Sequence, residues 1–278
     1  MRFRPWMVAA LVALGAVLAP SAAAQSGGTT VPGPGDPCPA VYPGDDAEQK
    51  PIARWMARGA ALRDLPQELP VMAGLAESGL RNLRHPGGSF FGFFGMHKSL
   101  NAGAYRGFPK NPELQLRWFT DTAVAVRQRS IAESSNPLGA GPAALGEWIA
   151  DVERPAPENR DGYRPYFDDA DDLLPGSCRP ADHSPDVQAP ALRVRAARRQ
   201  RDTITLKVRC PVEACVAAAQ AEPRRRVRAA PAVAVEDGPV TLTLPARSAR
   251  GARLAVTVTA VDESGNANRV PRRITLVR

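Results

Sequence analysis

The chain has 278 residues and a formal net charge of +8, from 36 Lys+Arg against 28 Asp+Glu. That length gives room for two domains of ordinary size, each able to bury a core without depending on many disulfides. The charge is unevenly divided: residues 25–180 carry 16 Lys+Arg against 19 Asp+Glu, and residues 181–278 carry 18 against 9. A basic half of this kind attracts polyanions. Without aromatic platforms or a reading helix, it excludes a dedicated nucleic-acid mode.

Residues 1–24 read as a signal peptide. Arg2 and Arg4 form its charged start, Val8 to Leu18 its apolar run, and Ala22-Ala23-Ala24 a small-residue cleavage site before Gln25. The run is too short to span a membrane, and no later segment has the length for one. The expected product is soluble and exported. Residues 25–47 are rich in Gly, Pro, Ser and Thr and read as a flexible lead-in.

A first helix is expected over 47–62, with Ile52, Trp55, Met56 and Ala60 at helical spacing and Gly59 a weak point within it. A second follows Pro66 and Pro70, with Gly79 just past its end. Its last turn carries Glu77, on or beside the face of Leu69, Met72, Ala73 and Ala76. That face should point inward, and burial would raise the Glu77 carboxyl toward the range of a general acid.

Residues 81–96 are too rich in Gly, Pro and Asn for a regular helix. Phe90, Phe91, Phe93 and Phe94 fall within five residues. Some should pack in the core and others lay apolar rings along a cleft, where the CH faces of sugars stack. Gly92 and Gly95 allow close backbone approach. Tyr105, in the loop that continues, is a further cleft-lining ring. A long helix begins after Asn111-Pro112 with Leu114, Trp118, Ala125 and Val126 inward, and runs to about Glu133. Pro142 opens another, through Leu145, Trp148, Ile149 and Val152.

The ordered motifs resemble the lysozyme-like fold of the soluble lytic transglycosylases, and within it a secreted actinobacterial branch. The resemblance rests on Glu77-Ser78, the Gly92-Phe93-Phe94-Gly95-Met96 loop, and the two Trp segments at 111–119 and 146–155. It covers residues 48–175. The usual Gln of the loop is Gly95 here. The resemblance implies cleavage of peptidoglycan glycan strands without a cofactor, Glu77 acting first as acid and then as base. It implies that Ser78 orients Glu77 or the substrate, and that the backbone around Phe93–Met96 positions the sugar. A Tyr after the loop lining the cleft corresponds to Tyr163 or Tyr166. A hydrolase needs a second carboxylate. Only Glu113 and Asp121 lie near downstream, and both fit a solvated helix face.

Residues 176–190 read as a linker. Beyond them, over 191–278, apolar residues alternate with polar or small ones, giving seven short strands near 192–196, 203–209, 214–219, 227–235, 240–244, 254–261 and 274–277. That count suits an all-β sandwich of immunoglobulin-like type, and 258–268 resembles the last hairpin of bacterial Ig-like modules. Asp262 and Asn266 there shape a turn. The expected architecture is therefore a mainly α lysozyme-like domain followed by an Ig-like sandwich.

Four cysteines in an exported chain read as two disulfides. Three pairings exist. Cys38 with Cys178 would tie the ends of the first domain together, and Cys210 with Cys215 would close a local bridge. His85, His97 and His183 show no ligand spacing, so no metal site is expected. The partners expected are peptidoglycan glycan strands, and anionic wall polymers for the basic half. The alternative is a non-catalytic wall-binding protein with a degenerate lysozyme-like domain and an adhesive Arg-rich sandwich.

Overall fold

The structure is a computed structural model that describes residues 38–84, 88–134, 138–174, 176–200, 203–222, 228–245 and 253–275. The segment read as a signal peptide, most of the expected lead-in and His85 lie outside the described residues. The first part of the chain is helical, and the second is built of antiparallel sheets.

Helix α1 (Gln49–Ala61) and helix α2 (Glu68–Ser78) pack through Trp55, Met56, Leu69 and Met72, all buried. Gly59 is there for packing: a Cβ on it would stand 2.6 Å from the Leu116 side chain of the long helix α3 (Pro112–Ser134). Asn111 caps α3, its Oδ1 accepting the Glu113 and Leu114 N–H groups at 3.0 and 3.3 Å. The buried apolar stripe of α3 runs through Leu116, Phe119, Ala123 and Val126. Ala125, expected inward, is exposed, because it lies two residues (about 200°) from Ala123 on the helix. Helix α4 (Pro142–Glu153) buries Leu145, Trp148, Ile149 and Val152, and the Trp148 indole N–H donates to the Ala123 carbonyl at 3.1 Å. A 3-10 segment, Pro157–Tyr166, leads into α5 (Phe167–Leu173). The Phe-rich loop holds two short paired strands, β1 (Phe90–Phe91) and β2 (Met96–His97).

Seven further strands form two antiparallel sheets. One has the order β3 (Arg193–Gln200), β4 (Thr203–Arg209), β7 (Val240–Pro245). The other has the order β6 (Arg228–Val235), β5 (Cys215–Glu222), β8 (Arg253–Val261), β9 (Ala267–Thr275). The last strand begins at Ala267 rather than 274, because β9 pairs with β8 along its whole length from the turn onward. The sheets share an apolar layer that includes Ile204, Leu206, Val208, Leu242, Leu244, Val256 and Val258. β5 departs from simple alternation because both its faces are covered. Ala217, Ala219 and Ala221 face that layer, and Ala218 joins Ile131, Ala132 and Val261 in a second cluster under α3.

Disulfides join Cys38 to Cys178 and Cys210 to Cys215, with Cα–Cα distances of 5.5 and 6.2 Å. No helix among the described residues is long and apolar enough to cross a membrane. The segment 176–190 lacks regular structure, but it is pinned. Arg179 pairs with Asp64 at 2.6 Å, and the Asp186 and Pro190 carbonyls accept from Asn266 and Asn268 at 3.0 and 2.9 Å.

Candidate active site

Helix α2 ends where Gly79 adopts φ +61, and its N–H closes on the last turn. Ser78 completes that end and is not among the residues lining the cleft. Its hydroxyl donates to the Gly74 carbonyl at 2.9 Å and accepts from the Arg81 N–H at 3.3 Å. Glu77, one residue earlier, is exposed. This corrects the expectation of a buried acid: the face of α2 that enters the core carries Leu69, Met72 and Ala73, and Glu77 stands at its margin over a cleft.

Gln115 fixes the opposite wall. It is fully buried on α3 and is used in three directions. Its Oε1 accepts the Phe93 N–H at 3.0 Å, and its Nε2 donates to Asn82 Oδ1 at 3.1 Å and to the Phe108 carbonyl at 3.0 Å. Gly92, at φ +78, passes so close that a Cβ there would stand 2.3 Å from Gln115 Oε1. The loop is thereby held with Gly95 against the acid: a Cβ on Gly95 would lie 3.1 Å from Glu77 Oε2.

The Phe residues divide. Phe93 and Phe94 are buried, Phe93 among Tyr42 and Trp55 and Phe94 stacked on Phe119 with ring centroids 4.6 Å apart. Phe90 is 59% exposed and Phe91 half-buried, and both line the cleft. Met96 is buried in the core. Tyr105 lies elsewhere, its hydroxyl donating to Asp121 at 3.0 Å. Burial and the Asp121 charge push that phenol up to about 12.

The cleft has a volume of about 700 Å³ and is bounded by Glu77, the Phe loop, and the segment from Glu153 to Tyr166. Tyr163 is buried, and its hydroxyl donates to Glu77 Oε1 at 2.7 Å. Burial first, and then the bond to Glu77, hold the phenol well above its usual range, so it stays a donor. Tyr166 borders the same cleft. Gly146 lets α4 approach this segment, since a Cβ there would stand 3.2 Å from the Arg164 nitrogen.

Glu153 is the residue that sequence reasoning missed. It closes α4 and lines the cleft with Glu77. Part of its side chain reaches the surface, but Oε1 is sealed from solvent and has no hydrogen-bond partner among the described residues. Burial, and then the charge of Glu77, push its carboxyl well above the usual range. A signal existed: Glu153 falls four residues after Ile149 and eight after Leu145, on the apolar face of its helix.

Elsewhere, Asp186, Glu213 and Asp262 bring carboxylate oxygens within 4.8 Å of one another. Asp262 is occupied as a turn former, accepting from the Asn266 backbone N–H at 2.8 Å and from its side-chain amide at 3.0 Å. His97 is exposed, and His183 lies in the pinned segment with Nε2 3.5 Å from Asp64. Compared with protein-family models and with curated protein sequences, the chain matches none.

Proposed function

We propose that this is an exported enzyme that cleaves peptidoglycan glycan strands, with a lysozyme-like helical domain and an Ig-like sandwich. The observation that carries the reading is Glu77. Its carboxylate stands in a cleft between the Gly95 loop and the Tyr163 hydroxyl, with Phe90 exposed and Phe91 half-buried along the rim. A carboxyl flanked by aromatic faces suits a glycosidic bond, whose cleavage needs proton transfer at the leaving oxygen. The seven strands in sheets of three and four suit the sandwich. Two disulfides fit an oxidising compartment.

The reaction is of the lytic transglycosylase type. The sugar's own acetamido group assists departure of the leaving oxygen, and its C6 hydroxyl then attacks C1 to leave a 1,6-anhydro end. Glycine at 95 removes the side chain that related loops place beside the acid. The Tyr163 hydroxyl holds Glu77 from the other side.

The basic half supports attachment to anionic wall polymer. In the β3–β4 ladder Arg193 stands opposite Arg209, and Arg195 opposite Lys207. Opposed like charges are costly in a sheet, and a polyanion relieves them. The non-catalytic reading keeps this adhesion and drops the chemistry.

Mass spectrometry of peptidoglycan incubated with the mature protein separates the two. Release of anhydro-muropeptides is expected, and Glu77→Gln should reduce it by at least about 100-fold while wall binding persists. A protein that pellets with the wall and releases nothing leaves only the binding role. Loss of pelleting at high salt would identify the contact as electrostatic.

A further inference from the structure

Two carboxyls line one cleft in opposite environments. Glu77 is exposed and accepts a hydrogen bond from the Tyr163 hydroxyl at 2.7 Å. Glu153 is different: its Oε1 is buried and unpartnered among the described residues, an arrangement that penalises charge. Two carboxyls that share a site, one open to solvent and hydrogen-bonded and one sealed and unpartnered, can divide into a base and an acid.

We propose that Glu153 donates the proton to the leaving glycosidic oxygen, and that Glu77 is the base of the pair. The inference rests on the glycan-cleaving reading above. The Glu153 proton passes to the leaving oxygen as the C1–O bond breaks, and the bonding pair stays on that oxygen. The acetamido oxygen bonds to C1. The C6 hydroxyl oxygen then displaces it, and the hydroxyl proton goes to the Glu77 carboxylate. Transfer of a proton from Glu77 back to Glu153 through cleft water closes the cycle, with no other reactant consumed.

The charged and titratable groups around Glu153 are consistent with this division. Glu77 faces it from α2, and its charge opposes ionisation of Glu153. Tyr163 and Tyr166 come from the 3-10 segment and border the cleft, and burial and the bond to Glu77 hold the Tyr163 phenol above its usual range, so it stays a neutral donor. Glu158, from that segment, and Arg154, next in the chain, line the same cleft. Arg160 is engaged by Glu147 at 2.9 Å and by Asp151 at 2.7 Å, on the solvent side of α4. Two carboxyls also explain how the site works with an exposed Glu77: the acid need not be the residue at the end of α2.

The test compares Glu153→Gln with Glu77→Gln on two substrates, across pH. One is peptidoglycan. The other is a nitrophenyl glycoside of an N-acetylglucosamine oligomer, whose leaving group departs without a proton. On peptidoglycan, Glu153→Gln is expected to lose at least about 100-fold in rate and the alkaline fall of the pH profile. On the nitrophenyl substrate it should come within about tenfold of wild type, while Glu77→Gln stays slow on both. Glu153→Asp keeps a carboxyl and should keep an alkaline limb. Wild-type rates for Glu153→Gln on peptidoglycan overturn the proposal. So does an equal loss on both substrates, which marks a purely structural role. An infrared carbonyl band from a protonated carboxyl at neutral pH, lost in Glu153→Gln, is expected in the intact chain. If wild type lacks it, the proposal falls even where glycan is cleaved. A wild-type chain inert on both substrates overturns the glycan-cleaving reading, and the proposal with it.

Discussion

Gln115 shows how one polar side chain can hold a cleft open. It satisfies the Phe93 N–H, the Phe108 carbonyl and Asn82 at once, from a position with no exposure. Replacing it by Leu keeps the volume and removes all three bonds. Each buried group left without a partner costs about 1–3 kcal/mol. Gln115→Leu is therefore expected to lower the melting temperature and, on the proposed glycan-cleaving function, to abolish that activity with it, since the loop facing Glu77 loses its anchor. An unchanged melting curve would show that the loop is held by other means. Neither Gln115 nor Glu153 was legible as a site residue. A Gln or Glu on a helix reads as part of a solvated face until the chain brings its neighbours together. Asn82, Phe93 and Phe108 come from separate stretches of loop, and nothing in the spacing links them. Glu77, the Gly-Phe loop and a Tyr at 163 or 166 were singled out from the order of the motifs along the chain, and the structure brings Glu77, Phe90, Phe91, Gly95 and both Tyr residues to one cleft. What the pattern lacked was depth: it put Glu77 on an inward face, whereas the structure leaves it exposed beside a buried partner.

At the level of elements, α3 does several jobs along its length. Its first turns carry Gln115 to the cleft, its middle packs Phe119 and Ala123 into the helical core, and its end places Ile131 and Ala132 against β5 and β8. Ala125 was misjudged because the stripe expected through Leu114, Trp118 and Ala125 is rotated away from the one that is buried, Leu116, Phe119 and Ala123. The helix is buried by different partners on different sides, and periodicity assumes one. The same cause hides β5, whose Ala run is covered by the β-layer on one face and by α3 on the other. The start of α3 was legible, because its cap acts locally, whereas the helical segments over 157–173 were not expected. Asn111 satisfies two backbone donors at the start of α3. Asn111→Ala is expected to cost about 1 kcal/mol, read as a lower melting temperature with the cleavage rate per folded molecule unchanged. A drop in rate at full folding would mean that the α3 start also positions Gln115.

At the scale of the whole molecule, the linker does not separate two independent bodies. Asp64, in the turn after α1 at φ +51, gathers the segment 176–190 and the β8–β9 turn. Its carboxylate accepts from Arg179 at 2.6 Å and from Ser264 at 3.0 Å. Arg127 of α3 bridges the same junction, donating to the Asp64 and Arg63 carbonyls at 2.5 and 3.2 Å and to the Glu263 carbonyl. Composition marked 176–190 as a linker and gave no sign of what holds it. It is pinned by groups distant in sequence, which a compositional signal does not see. Burial alone would raise the Asp64 carboxyl, but the Arg179 and Ser264 bonds and the Arg179 charge outweigh it and hold it below its usual value. A carboxyl depressed on folding adds stability above its unfolded value, near 4. That stability is lost as pH falls through the folded value. The melting temperature of the wild-type chain should therefore fall more steeply on acidification below about pH 4 than that of Asp64→Asn. The variant should be the less stable of the two at neutral pH, and the difference should narrow as the wild-type carboxyl takes up its proton. If the helical and β parts melt as one unit through this junction, calorimetry of Asp64→Asn should split a single transition into two. Parallel curves for wild type and variant across that acid range would mean that the junction is held by Arg127 and the apolar cluster under α3, with Asp64 a bystander.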